Sequence, residues 1–432
     1  MPRLSVVMIV KNESHCLADC LESAQSIADE IVIADTGSTD DTVSIAKRFG
    51  ARTDRIEWQD DFAAARNHSI DMATGDWLLH LDADEVVDAA GAQRIRELVD
   101  RDGEGADAIE VTLANYCNEM RAWRWVAATP GDPMARGFSG YIAAPLLRLF
   151  RNHRGYRYRE PVHENITESV MELGGCIRAE PILIHHYGYA ERNDAKARLY
   201  LAIAREKIAR RPNDPKAWHD LAEQLLALGE TEEAADAARH ALQIDSNHLA
   251  ASTTLATIHL NAGHLEEARN VLEPIASLGT APSHVFTALA AIACKQGRIE
   301  DARLLIESAI ARDARSIMGL LYRARILDVQ GEALEAKKDL CTASALAPSM
   351  EEVQHRLRAH ARRIDAERKH AQGDLMGALA TYVEALKLDS EDPLIHAGIG
   401  RVSNSLGKVE SAQRCFERAR ALCPAVISQE ST

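Results

Sequence analysis

The sequence is poor in the features that mark small stapled, fibrous or membrane proteins. Its eight cysteines include no Cys-x-x-Cys pair, so no disulfide framework and no four-thiolate zinc site is written into it, and they read as free structural thiols of a reducing compartment. Cys16 and Cys20 share a helical spacing of four, but two soft ligands alone make a poor zinc site. Aromatic residues are only 5% of the chain, and with 13 prolines and 24 glycines in 432 residues no low-complexity segment is present. No apolar run approaches the roughly 18 residues of a membrane span. The run Leu4–Val10 is too short for a secretion signal and is followed at once by Lys11 and Glu13. A soluble, cytoplasmic protein without a membrane span is expected. Surplus basic charge is missing too. The net charge is −15, with 20 basic against 33 acidic residues up to Asp194 and 30 against 32 after it. That balance argues against broad phosphate-backbone binding, and no nucleic-acid partner is expected.

What is present is a periodic second half. Gly229, Gly263, Gly297 and Gly331 recur every 34 residues, each followed five residues later by alanine (Ala234, Ala268, Ala302, Ala336). The pair returns as Gly373 with Ala378 and Gly407 with Ala412 after one step of 42, which implies an eight-residue insertion. Between these anchors lie amphipathic helical runs split by a turn glycine. The pattern resembles the tetratricopeptide repeat: Trp218, Leu221, Ala222 and Leu225 fill a first helix, Ala234, Ala238 and Ala241 a second, and Pro348 and Pro424 close later units. Small residues are needed where paired helices approach closely. Six units from about residue 215 to 424 are expected, with Ala195–Arg211 as a lead-in helix capping the stack. Such a solenoid is a binding surface, so it implies a protein or peptide partner, with self-association into a homo-oligomer as the other reading. The basic insertion HRLRAHARRIDAERKH (355–370) reads as a solvated helix face.

The first half alternates between strand-like and helix-like segments. Strands are expected at Leu4–Val10, Glu30–Ala34, Ala51–Ile56 and Asp76–Leu81, and helices at Ser14–Ile27, Thr39–Phe49 and Asp61–Met72. This order implies a parallel sheet that binds ligands at the carboxyl ends of its strands. Acidic residues gather there: Asp35 after the second strand, and Asp82, Asp84 and Glu85 after the fourth. Two carboxylates one residue apart, a DxD motif, offer hard oxygen ligands to Mg2+ or Mn2+, which in turn hold a diphosphate.

VVMIVKNE, DEIVIADTGSTDDT, DFAAARN and GDWLLHLDADE together resemble the family 2 glycosyltransferases of GT-A fold, over about residues 1 to 190. The chain is most similar to the branch with Lys-Asn-Glu after the first strand, which includes lipopolysaccharide-core glucosyltransferases and bacterial peptide S-glycosyltransferases, some with C-terminal tetratricopeptide repeats. The resemblance implies an α/β GT-A domain, Rossmann-like with a mostly parallel sheet, followed by an all-α solenoid. It divides the chain into residues 1–194 (GT-A domain), 195–214 (lead-in helix and linker), 215–426 (repeats) and 427–432 (tail).

By the family pattern, Val10 and Glu13 lie near the nucleobase of a nucleotide-sugar and Asp35 bonds the base or ribose. Arg66 and Asn67 help to hold the nucleotide-sugar, Asp82 lies by the ribose and cation, and Asp84 is a direct metal ligand. The cation offsets charge that develops on the diphosphate leaving group. Glu164 is the candidate general base that takes the acceptor's proton, with Glu160 and Asp132 as rivals. A histidine completes the metal site in many GT-A domains. His186 is preferred over His185 because the YGY turn follows it. Five arginines (148, 151, 154, 157 and 159) stand equally for anion binding or for a solvated strand edge, and Trp123 and Trp125 for a sugar platform or a loop anchor.

The expected protein is an inverting, metal-dependent hexosyltransferase. It uses Mn2+ or Mg2+ and a nucleoside diphosphate sugar, with UDP favoured, and glycosylates a protein or peptide engaged by the repeats. The alternatives are a transferase acting on a lipopolysaccharide or other cell-envelope glycan, and a non-catalytic repeat scaffold with a silent transferase-like half.

Overall fold

A computed structural model describes residues 1–118, 125–161, 164–188, 194–348 and 350–428. Trp123 lies outside the described residues. The chain forms two compact units, one of residues 1–125 and 133–210 and one of residues 126–132 and 211–432.

The strands are β1 (Leu4–Val10), β2 (Glu30–Asp35), β3 (Arg52–Arg55), β4 (Trp77–His80), β5 (Glu85–Val87), β6 (Ala108–Cys117), β7 (Trp125–Ala127), β8 (Gly140–Arg151) and β9 (Ile177–His186), and all of their residues except Val126 and Ala127 of β7 belong to the first unit. The hydrogen-bonded path runs β3-β2-β1-β4-β8-β6-β9-β5, and short β7 lies off it. The β3, β2, β1 and β4 pairings are parallel, as the alternating sequence requires. Beyond β4 the sheet is mixed: β8 runs antiparallel to both β4 and β6, β9 parallel to β6, and β5 antiparallel to β9.

Helices α1 (Leu17–Gln25), α2 (Thr42–Arg48), α3 (Phe62–Met72), α4 (Ala89–Asp100) and α5 (Thr167–Glu172) complete the layers. Side chains alternate across each strand, so adjacent residues serve different cores. Leu4, Val6 and Met8 of β1 pack with Leu17 and Leu21 of α1 and Ile95 and Leu98 of α4. On the other face, Val7, Val32 and Leu78 pack with Ala63 and Ile70 of α3. Continuous apolar runs such as LSVVMIV are what a strand covered on both faces needs. Helix α6 (Asp194–Arg210), expected to lead into the repeats, belongs to the first unit.

The second unit contains six helix pairs among the described residues: α7 (Pro215–Ala227) with α8 (Thr231–Ile244), α9 (Leu249–Ala262) with α10 (Leu265–Ala276), α11 (Ser283–Lys295) with α12 (Ile299–Arg312), α13 (Ile317–Val329) with α14 (Ala333–Leu346), α15 (Glu351–Ala371) with α16 (Leu375–Leu388), and α17 (Pro393–Ser405) with α18 (Val409–Leu422), followed by the short α19 (Ala425–Ser428). Each turn within a pair carries one of the periodic glycines, with φ between 75° and 85°, a left-handed conformation that glycine adopts without steric cost. The alanines five residues later are buried in every pair. Among the described residues, no helix is long and apolar enough to cross a membrane.

The insertion lengthens one first helix, α15, to 21 residues where α13 has 13. Its basic run is not simply a solvated face, which corrects the expectation. His360 and Arg363 are 4% and 3% exposed. Both are held by Asp328 of α13, whose Oδ2 lies 2.9 Å from His360 Nδ1 and whose Oδ1 accepts from Arg363 Nη2. A spacing of three puts these two residues on one inward helical stripe, while Arg358, Arg362 and Arg368 remain exposed.

Candidate active site

The carboxyl ends of β1, β2 and β4 lie side by side, and the loops leaving them form the site. Val10 and Asp35 are register partners at the ends of β1 and β2. The two loops are laced together: Asn12 N donates to Ser38 Oγ at 2.9 Å, Thr39 N to Asn12 Oδ1 at 2.8 Å, and Glu13 N to Thr42 Oγ1 at 2.8 Å. Asp35 is buried. Its Oδ1 accepts from Ser38 N at 2.9 Å, while Oδ2 is buried without a hydrogen-bond partner among the described residues. A buried carboxylate oxygen left unpaired in this way is costly unless a ligand fills it.

Below this end, α3 presents Arg66. The helix starts at Asp61, whose side chain accepts from Ala64 N, and one turn later Arg66 points into the first unit's interior, 6% exposed. Its Nη1 donates to Asp82 Oδ1 at 2.9 Å and its Nε to Glu164 Oε1 at 2.5 Å. Nη1 also meets His80 Nε2. Burial, reinforced by the Arg66 guanidinium, pushes His80 well below the ordinary histidine range, so it is neutral and accepts. Both ends of the Asn67 amide are used on Tyr158, accepting from its N and donating to its carbonyl, each at 2.9 Å. Asn67 thus ties α3 to the segment that carries Glu164.

Asp82 is shared between two arginines. Arg148 Nη2 on β8 donates to Asp82 Oδ2 at 3.1 Å and to Glu85 Oε1 at 2.5 Å, and Glu85 Oε2 accepts the backbone N–H of Asp82 at 3.0 Å. Burial works to raise Asp82, but the Arg66 and Arg148 guanidiniums hold it well below the usual carboxylate range. Glu85 is deeper, and there burial prevails over Arg148 and raises it. Asp84 stands apart from the arginines. Its Oδ2 lies 3.1 Å from His186 Nε2 at the end of β9, and Gly188 permits this approach, since a Cβ there would stand 2.0 Å from the same oxygen.

The pleat separates the two histidines. His186 faces Asp84, whereas His185 turns to the other side, where its Nδ1 meets the Tyr116 hydroxyl at 3.0 Å. Of the five arginines only Arg148 enters the site. Arg151 pairs with Asp102 and Asp107, Arg154 with Asp107, Arg157 with Asp71 and Arg159 with Glu172. Glu160 sits at φ 74°, and Asp132 belongs to the second unit. Trp125 Nε1 reaches the Cys117 carbonyl at 3.5 Å. Sequence reasoning gives no individual role to Glu85, Arg148, Asn115 or Gly188. The partners that draw them into the site, such as Arg148 for Glu85 and His186 for Asn115, are distant in the chain.

Residues 5–159 match glycosyl transferase family 2, and residues 225–292 match a tetratricopeptide-repeat family. A TPR repeat-containing protein of Synechococcus elongatus is 36% identical over 195 residues, 44% of this chain and 43% of that protein. The SPbeta prophage-derived glycosyltransferase SunS of Bacillus subtilis is 28% identical over 240 residues, 54% of this chain and 52% of SunS. The chain thus spans about half the length of these curated relatives. YrrB, solved as a TPR protein with an unusual peptide-binding site, is 13% identical and covers 53% of this chain and 98% of its own, with a TM-score of 0.31.

Proposed function

Because this chain carries a family 2 glycosyltransferase domain followed by tetratricopeptide repeats, we propose that it is an inverting, metal-dependent transferase. It moves a sugar from a nucleoside diphosphate, UDP favoured, to a protein or peptide engaged by the repeats. The observation that carries the reading is the Asp84–His186 pair, a carboxylate oxygen and an imidazole nitrogen 3.1 Å apart beside Asp82. Hard oxygen with imidazole is a donor set that suits Mn2+, so the residues fit the cation that the family implies. Asp84 and His186 would hold it, with Asp82 alongside. When bound, it offsets the charge gathering on the diphosphate as the sugar C1–O bond breaks.

The remaining work falls to the chain's own groups. The unpaired Asp35 Oδ2 accepts from the base or ribose, with Val10 and Glu13 flanking it. Arg66 orients Asp82 toward the donor and fixes Glu164 through Oε1, and Asn67 anchors the segment at Tyr158 that leads to Glu164. No hydrogen bond among the described residues uses Glu164 Oε2. In the transfer an acceptor atom bonds to C1 on the face opposite the diphosphate, the C1–O bond to the diphosphate breaks, and the acceptor's proton passes to this oxygen. The repeats bind the polypeptide acceptor, consistent with the role of stacked helical repeats as binding surfaces.

The test is a thermal-shift and hydrolysis series with UDP-, GDP-, CMP- and dTDP-sugars, with and without Mn2+ or Mg2+, on wild type and Asp84→Ala. Binding to the folded state raises the melting temperature by mass action. A metal-dependent rise with one donor, absent in Asp84→Ala, supports the transferase. The same donor is then offered with polypeptide and with lipid-linked saccharide acceptors. No rise with any donor refutes the reading, and transfer to the saccharide alone refutes the polypeptide acceptor.

A further inference from the structure

We infer that Asn115 is the positioning residue that decides which nitrogen of His186 is offered to the cation. The inference rests on the metal-dependent reading above. Asn115 lies on β6, 7% exposed, as the register partner of His186 across the parallel β6–β9 pair and of Ile142 across the antiparallel β6–β8 pair. Its Nδ2 donates to the Ile142 carbonyl at 3.1 Å. A carbonyl oxygen accepts only, so it is the amide's NH2 end that faces Ile142, and the orientation of Asn115 follows from its neighbours.

The other end, Oδ1, lies 2.6 Å from His186 Nδ1. An amide oxygen cannot donate, so the hydrogen of that bond sits on Nδ1. A neutral imidazole, the form that binds metal, has one N–H, and with Nδ1 carrying it the lone pair is left on Nε2. Nε2 is the atom 3.1 Å from Asp84 Oδ2. In that form two acceptors face one another, an arrangement that a cation between them completes. Metal-ligating histidines are commonly oriented in this way by a polar group on the far nitrogen, and removing that group weakens metal binding by about 10- to 100-fold. The signal is absent from the sequence, because Asn115 is 71 residues from His186 and only sheet register joins them.

The experiment uses the full chain as wild type, Asn115→Leu and Asn115→Asp, titrated with Mn2+ alone while the free-ion electron paramagnetic resonance signal is followed. Asn115→Leu is expected to weaken Mn2+ binding by about 10- to 100-fold. Asn115→Asp, whose carboxylate still accepts the Nδ1–H but leaves the Ile142 carbonyl without its donor, should bind Mn2+ more tightly than Asn115→Leu. In the metal-free wild type at mildly alkaline pH, nitrogen-15 histidine spectra should show His186 protonated on Nδ1, its resonances identified by their loss in His186→Ala. This arm decides even if Asn115→Leu does not fold. A proton on Nε2, or an unchanged Mn2+ affinity in Asn115→Leu, overturns the inference and leaves the transferase reading standing. A wild type that takes up no Mn2+ overturns both. Mn2+ binding that depends on Asn115, without binding of any nucleotide-sugar, supports the role of Asn115 and overturns the transferase.

Discussion

Gly188 is the residue that lets Asp84 reach His186: a Cβ at position 188 would stand 2.0 Å from Asp84 Oδ2 and 3.3 Å from His186 Nε2. The first clash is with the far end of a side chain, which can swing away at little cost to the fold. Gly188→Ala is therefore expected to change unfolding free energy by less than about 1 kcal/mol, as substitutions outside packed cores usually do. It should also weaken Mn2+ binding at least about tenfold, because the carboxylate is displaced from its partner. Denaturant unfolding and Mn2+ titration of the same preparation separate the two effects. Equal Mn2+ affinity in variant and wild type would remove Asp84 from the metal site.

Arg66 joins two carboxylates that are 31% and 14% exposed, Asp82 and Glu164. Removing one partner of a buried ionic group leaves the others uncompensated, at a typical cost of about 3 kcal/mol. Arg66→Ala should lose stability of that order in urea and lose donor binding as well. Arg66→Lys keeps a charge but not the fork that spans Asp82 and Glu164, so it should recover stability more than binding. A fully stable Arg66→Ala would show that the two carboxylates find other partners.

In the repeats, Asp328 holds both His360 and Arg363 in a buried setting. Asp328→Ala should destabilise the second unit by about 3 kcal/mol, the scale for breaking a buried pair. Arg363→Met, combined with it, should restore part of that loss, because an apolar side chain carries no desolvation penalty. Urea transitions of the single and double variants measure the coupling, and strict additivity would count against a shared network.

Glu30 supplies a pH test. Burial works to raise its carboxyl, but hydrogen bonds from Ser5, the Thr74 backbone and Arg52 hold it down at about 2, against an ordinary 4.5. A depressed folded-state pKa means the folded protein holds the charged form more strongly than the unfolded chain does. The contribution is thus fully present above about 4.5 and is lost as pH falls toward 2. Glu30→Gln should be less stable than wild type at pH 7, and the gap should narrow between pH 4.5 and 2. Urea midpoints at several pH values check this, and a gap independent of pH would assign the loss to packing.

Much of the architecture is legible in the chain itself. The 34-residue glycine spacing gives the repeat pairs, because a left-handed turn is needed at the same place in each unit, and the step of 42 locates the insertion that becomes the long α15. The alternation of apolar runs and helical segments gives the parallel half of the sheet, since strands covered on both faces must be continuously apolar. Beyond β4 the reading weakens. There the strands run in both directions, and pairing such as β6 with β8 depends on partners far away in sequence.

The residue types at the site follow the same division. Sequence alone determined that carboxylates follow the apolar strands and that histidines end a later one, because local pattern places a residue at the end of its strand. Only the tertiary structure decided that His186 rather than His185 meets Asp84, that Arg148 alone of five arginines enters the site, that His360 and Arg363 are buried, and that Asn115 and Gly188 stand behind the Asp84–His186 pair. Those outcomes depend on strand pleat, sheet register and the close approach of segments more than 30 residues apart, which are physical relations between separate parts of the chain that local sequence pattern does not fix.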